Sequence, residues 1–133
     1  MKKNPRILVA DDMQMTRRVL KSALVRAGLN DITEVENGEE LLLKMKADTF
    51  DLIICDWDMP KLSGIDALRA IRGDEAYKDM PFVMVTAMTD KEYVKTAIEA
   101  GINDYITKPI KPELFIKKVK SLLIQLQLLP ATA

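Results

Sequence analysis

The chain has 133 residues, 48% apolar and 30% charged, with 20 Lys+Arg balancing 20 Asp+Glu. That is the size and balance of one soluble domain of about 150 residues, and it leaves no net charge to hold a nucleic acid or an anionic membrane. The absence of histidine excludes Ser-His-Asp and Cys-His catalysis and a phosphohistidine carrier, and the lone Cys55 excludes an internal disulfide or a thiolate metal site.

A single cysteine fits a reducing compartment. No apolar run approaches the roughly 20 residues of a membrane span. Asp11 and Asp12 end the apolar run that follows MKKNPR before a signal-peptide core can form, so a cytoplasmic location is expected.

Along the chain, short apolar runs alternate with helical stripes. Ile7-Leu8-Val9-Ala10 predicts a buried strand, and Met15, Val19, Leu20, Ala23, Leu24 and Ala27 recur at helical spacing until Gly28. Ile32 to Val35 predicts a second, weaker strand, followed by Asn37-Gly38 and a helix carrying Leu41, Leu42 and Met45. Asp51 to Cys55 is the most apolar strand; a loop with Pro60 and Gly64 leads to a helix through Ile65, Leu68 and Ile71. Phe82 to Thr86 forms a fourth strand, and Thr89-Asp90-Lys91-Glu92 has the spacing of a capping box opening a helix through Val94, Ala97 and Ile98. After Gly101, Asp104 to Thr107 is the fifth strand, Lys108-Pro109 turns the chain, and a last helix carries Leu114, Phe115, Val119, Leu122, Leu123 and Leu126.

Five nearly all-apolar strands alternating with five helices imply a doubly wound α/β fold, with a parallel sheet covered on both faces and right-handed crossovers. One domain over 1–128 and a short tail over 129–133 are expected. In such sheets the functional residues stand just beyond the carboxyl ends of the strands. Those positions hold Asp11 and Asp12, Asp56, Thr86 and Lys108. Two carboxylates about 4 Å apart repel by roughly 4 kcal/mol at an effective dielectric near 20, so three need more than the single charge of Lys108. An all-oxygen set without His or thiolate favours a hard ion, and Mg²⁺ is held by one or two carboxylates plus phosphate oxygens. Asp56, after the most buried strand, is the candidate nucleophile for an acyl phosphate. Asp11 and Asp12 have the pairing expected of metal ligands, Lys108 can pair with phosphoryl oxygens, and Thr86 can donate to them.

Each residue alone also has an ordinary structural reading. Asp-Asp before a helix is a common cap and dipole partner, Asp after a strand a turn former, Thr a strand former and Lys-Pro a turn. Their joint appearance at four strand ends on one sheet edge is what coincidence does not supply.

The sequence resembles the receiver domain of two-component response regulators, and among them the single-domain chemotaxis regulators. The resemblance covers about residues 5–127 and rests on ILVADD, the stretch from Asp12 to Arg17-Arg18, the loop Asp56-Trp57-Asp58-Met59-Pro60, Thr86-Ala87, and Tyr105 through Lys108-Pro109. It implies the flavodoxin-like strand order 2-1-3-4-5 and a Mg²⁺-dependent phosphoryl transfer to Asp56 from a sensor histidine kinase. Asp12 would ligate Mg²⁺ directly, Asp11 through water, and the Asp58 backbone carbonyl would complete the site. Lys108 and Thr86 would contact the phosphoryl group, and the Lys108-Pro109 peptide would be cis, the one bond type where cis costs little. Thr86 and Tyr105 would form the conformational switch, and Lys91, Tyr105, Thr107 and Lys118 would lie on a partner surface made by the fourth helix, fifth strand and fifth helix. The residues two beyond the acceptor and the threonine, Asp58 and Met88, flank the attacking water in the family; Met88 cannot orient it by hydrogen bonding, so slow self-dephosphorylation is expected.

Other readings are a haloacid-dehalogenase-type aspartyl-phosphate hydrolase, suggested by Asp56-Trp57-Asp58 after LIIC, a flavin-binding module, and a receiver used without phosphorylation. The chain ends about 20 residues after Pro112 without a nucleic-acid-binding or catalytic effector, so the expected output is protein binding, with a flagellar motor switch, a phosphorelay or a regulated kinase as targets. Residues 31–66 carry ten acidic and three basic residues, net −7, whereas 111–133 carry four basic and one acidic, net +3, so surfaces of both signs are available. Ile124, Leu128 and Leu129 extend the last apolar stripe, as core contacts or as the patch of a weak dimer; otherwise a monomer is expected.

Overall fold

The computed structural model describes residues 4–131. Its elements follow in chain order: β1 (Ile7–Ala10), α1 (Gln14–Arg26), β2 (Ile32–Val35), α2 (Gly38–Ala47), β3 (Leu52–Cys55), α3 (Gly64–Arg72), β4 (Phe82–Thr86), α4 (Lys91–Ala100), β5 (Asp104–Thr107) and α5 (Pro112–Gln125). All strand pairings are parallel, in the order β2-β1-β3-β4-β5.

The apolar runs are continuous because each central strand is buried on both faces. Successive side chains point to opposite sides of the sheet, so Leu8, Ala10, Ile53, Cys55, Phe82 and Met84 pack with Leu41, Met45, Ile65, Leu68, Ile71 and Ala97 on the α2, α3 and α4 side. Ile7, Val9, Leu52, Ile54, Val83, Val85 and Ile106 pack with Leu20, Leu24, Phe115, Val119 and Leu123 on the α1 and α5 side. Burying one such side chain contributes roughly 1.5 to 3 kcal/mol, so the two layers hold the sheet rigid beneath the loops.

Three details differ from the sequence reading. The Thr89–Glu92 capping box does not form: the N-cap of α4 is Asp90, which makes no side-chain cap bond, so Glu92 stands one position too early to reach back. Met15, Val19, Ile98, Leu114 and Leu126, counted in helical stripes, are exposed. Leu129, expected in a tail, is buried against the α1 and α5 layer, with Leu128 and Ile124 partly buried beside it. These residues are core contacts, and the packed unit therefore runs past residue 128. α4 ends at Gly101 with φ +98°, a left-handed conformation that favours glycine, and the Arg72 side chain closes over it, donating to the Gly101 carbonyl at 3.0 Å. No helix among the described residues is long and apolar enough to cross a membrane.

Candidate functional site

Backbone bonds bring the carboxyl ends of the strands to one edge. Asp11 N–H donates to the Val35 carbonyl at 3.2 Å, Asp56 N–H to the Ala10 carbonyl at 2.9 Å, and Lys108 N–H to the Thr86 carbonyl at 2.9 Å, so the residue after each strand is tied to its neighbour. Tight packing fixes the loop after β3: a Cβ on Gly64 would lie 2.0 Å from the Asp56 carbonyl oxygen, and Gly64 N–H donates to the Trp57 carbonyl at 2.8 Å. Only glycine permits this approach of α3 to the strand end.

Asp11 is fully buried and Asp56 is 6% exposed, while Asp12 is exposed. Lys108 Nζ lies 3.0 Å from Asp11 Oδ2 and 3.2 Å from Asp56 Oδ2. The other oxygens are held by the backbone: Met13 N–H donates to Asp11 Oδ1 at 2.9 Å and Trp57 N–H to Asp56 Oδ1 at 2.8 Å. Burial, with the neighbouring charge of Asp11 behind it, raises the Asp56 pKa against the pull of Lys108. Lys108 pays a burial penalty on its charge, but its bonds to Asp11 and Asp56 and their charges outweigh it and raise its pKa. Oxygens of Asp11, Asp12 and Asp56 all lie within 4.8 Å of one another. Three carboxylates against one ammonium leave two negative charges, which a hard divalent cation with oxygen ligands matches.

The remaining expected residues fall around this cluster. Thr86 is buried, its hydroxyl accepting from Met88 N–H at 3.2 Å. Tyr105 donates its hydroxyl to the Met88 carbonyl. Burial first, then the charge of Asp56 and the neighbouring Tyr93, raise the Tyr105 pKa. Asp58 is exposed in the loop after Asp56, and the Lys108-Pro109 peptide is cis.

On the β5 and α5 side, Tyr105, Thr107, Leu114 and Lys118 line a pocket of about 230 Å³. Lys118 is tied to β5 through the Tyr105 carbonyl at 3.4 Å and Asp104 at 3.5 Å, while Lys91 is exposed at the start of α4. Two contacts went unread in the sequence. Trp57 meets Tyr93 of α4 edge to face at 5.2 Å between ring centres, and Arg17, within the Asp12-to-Arg18 stretch, reaches back to the strand edge. Its guanidinium donates to the Asp11 carbonyl at 2.7 Å. Glu34 in β2 and Glu36 just after it are the sequence signal that a cation of α1 faces this edge.

The model of the response regulator receiver domain family matches residues 7–120. The chain is 38% identical to a chemotaxis protein CheY homolog of Campylobacter jejuni over 89% of this chain and 92% of that one. It is likewise 38% identical to chemotaxis protein CheY1 of Helicobacter pylori, over 89% of this chain and 96% of the relative. The solved structure of chemotaxis protein CheY4 of Vibrio cholerae superposes with a TM-score of 0.83 at 29% identity, over 90% of this chain and 99% of the other. These receivers are phosphoacceptor signalling proteins and not enzymes that turn over a separate substrate. Fold, strand-edge acidic cluster and these likenesses together make the chain a member of the response regulator receiver domain family, homologous to the CheY chemotaxis regulators.

Proposed function

We propose that Asp56 accepts a phosphoryl group from the phosphohistidine of a sensor histidine kinase in a Mg²⁺-dependent reaction, and that the phosphorylated domain acts by changing its binding to another protein. The observation that carries this reading is the geometry of Asp56, a nearly buried carboxylate with Oδ1 fixed by the Trp57 amide and Oδ2 held 3.2 Å from Lys108 beside two further carboxylates. In the transfer, a bond forms between an Asp56 oxygen and phosphorus as the donor's P–N bond breaks, and the electron pair leaves on the imidazole nitrogen. Asp11, Asp12, Asp56 and the Asp58 carbonyl are the residues to hold Mg²⁺, which when bound supplies positive charge to the phosphoryl oxygens. Lys108 pairs with one of those oxygens, as it now pairs with Asp11 and Asp56.

Thr86 completes the site by turning its hydroxyl toward the phosphoryl group. Its present partner, the Met88 amide, belongs to the residue whose carbonyl holds the Tyr105 hydroxyl, so the move perturbs Tyr105 through one intervening residue. A hydrogen bond to a charged group contributes about 1.5 to 3 kcal/mol, enough for a roughly 10- to 150-fold population shift. The face that responds carries Tyr105, Thr107 and Lys118, flanked by Lys91. Its partner is a protein of a chemotaxis pathway, a flagellar motor switch or a kinase, reached in the cytoplasm by a monomeric or weakly dimeric receiver and involving neither nucleic acid nor membrane.

The test is Trp57 emission during titration with Mg²⁺ and then a beryllofluoride phosphoryl mimic, on the wild type and Asp56→Asn, with calorimetry run in parallel. The mimic is expected to bind only with Mg²⁺ and only to the wild type. Absence of binding by both measurements overturns the acceptor assignment.

A further inference from the structure

Arg17 is a charged residue on a solvent-facing helix, yet its side chain is only 11% exposed. The guanidinium spans two elements. It donates to the backbone carbonyl of Asp11 at 2.7 Å and, through Nε, to Glu34 on β2 at 3.1 Å, with Glu36 4.0 Å away on the same side. The Asp11 carbonyl belongs to the peptide that joins Asp11 to Asp12. Asp11 is otherwise fixed by its amide on Val35, by Met13 N–H and by Lys108, whereas Asp12 is exposed and depends on the set of that peptide for its direction. Glu34 and Glu36 neutralise Arg17 from behind, so what the arginine brings to the acidic cluster is orientation. A planar fork with several fixed donors can grip a carbonyl and a carboxylate at once, which an ammonium cannot do with the same geometry.

We propose that Arg17 is a positioning residue for the cation site: it clamps the Asp11–Asp12 peptide to β2 through Glu34 and so aims the two carboxylates at one ion. This rests on the Mg²⁺ reading of the cluster. Positioning and plain charge predict opposite signs. Mg²⁺ is a cation, so deleting a nearby positive charge tightens binding if charge alone matters, and weakens it if the clamp is what matters.

The experiment is a Mg²⁺ titration by Trp57 emission, repeated by calorimetry, on the wild type, Arg17→Met, Arg17→Lys and Lys21→Met, with urea unfolding in EDTA to record the fold separately. Residues that orient metal ligands change affinity by about 10- to 100-fold when lost, so Arg17→Met is expected to weaken Mg²⁺ binding within that range and Arg17→Lys by less. Lys21, which also faces Glu34 at 3.7 Å but does not reach the turn, is expected to leave affinity unchanged or tighter when replaced. Affinity of Arg17→Met within twofold of the wild type, or a loss in Lys21→Met as large as that in Arg17→Met, overturns the clamp. Should Arg17→Met not fold, Arg17→Lys, which keeps the charge and loses the fork, carries the test, with a several-fold loss expected and wild-type affinity overturning it. A wild type that binds no Mg²⁺ by either method overturns the metal reading itself, a result distinct from a variant that matches a binding wild type.

Discussion

Replacing Lys108 with methionine removes the ammonium that bridges Asp11 and Asp56. At an effective dielectric near 20, its attractions to the two carboxylates at 3.0 and 3.2 Å are about 5 kcal/mol each. Desolvating the ions returns several kcal/mol of this, and breaking a buried charge pair costs a net of about 3 to 5 kcal/mol, or about 10 °C or more of Tm in a domain of this size. The pH dependence has a definite sign. The raised pKa of Asp56 means that its charge penalty is present above its folded pKa and is relieved as pH falls through that value. The deficit of Lys108→Met is therefore largest at neutral pH and shrinks on mild acidification, and it shrinks again in Lys108→Met/Asp56→Asn, whose loss is smaller than the sum of the single effects. In the wild type, the stabilisation from the raised Lys108 pKa is fully present below the ordinary lysine value and is lost as pH rises through the folded value. The assay is urea unfolding in EDTA across this pH range. A neutral-pH loss below about 1 kcal/mol, or one that grows on acidification, refutes the charge balance assigned to the cluster.

Gly64→Ala is expected to unfold the loop after β3 or to shift Asp56, because the new methyl would meet the Asp56 carbonyl at 2.0 Å; a urea midpoint and beryllofluoride affinity equal to the wild type would contradict this. Met88→Glu gives the site a side chain able to orient water and is expected to speed decay of the phosphoprotein, with unchanged decay in a chase experiment as the contrary result. Asp48, gripped by Arg6 at 2.5 and 2.9 Å, has its pKa held down to about 2 by that hydrogen bond, so its stabilisation is present above the ordinary carboxylate range and is lost as pH falls through about 2. The stability gap between wild type and Asp48→Asn should thus be constant above pH 4 and narrow below it, as urea midpoints at successive pH values would report.

The central strand positions are readable because a strand buried on both faces must be apolar throughout: Ile7–Ala10 and Phe82–Thr86 occur as read, and β3 differs only in starting at Leu52, one residue later, while the half-exposed edge strands Ile32–Val35 and Asp104–Thr107 also occur as read. The site was readable for a related reason, since a parallel sheet collects its strand ends on one edge and the chemistry-bearing residues stand there. Helix faces were less so. Ile98 and Leu114 are apolar yet exposed, on the two helices that flank β5, where the helical period alone does not say which apolar residue meets the sheet. The α4 start was misread because Thr89 and Asp90 are both good caps, and the choice depends on how the loop leaves Thr86 and not on the tetrapeptide. Arg17 and Tyr93 escaped because their partners, the Asp11 carbonyl and the Trp57 ring, belong to other segments, and a backbone carbonyl leaves no mark in a sequence.

The central claim is that Asp56 carries the phosphoryl group. The most direct measurement is intact mass and peptide mapping after incubation with acetyl phosphate, a small acyl-phosphate donor, in Mg²⁺ and in EDTA. A single added phosphoryl group on the peptide containing Asp56, present only with Mg²⁺ and absent from Asp56→Asn, is the predicted result. Phosphorylation elsewhere, or equal labelling of Asp56→Asn, would contradict it.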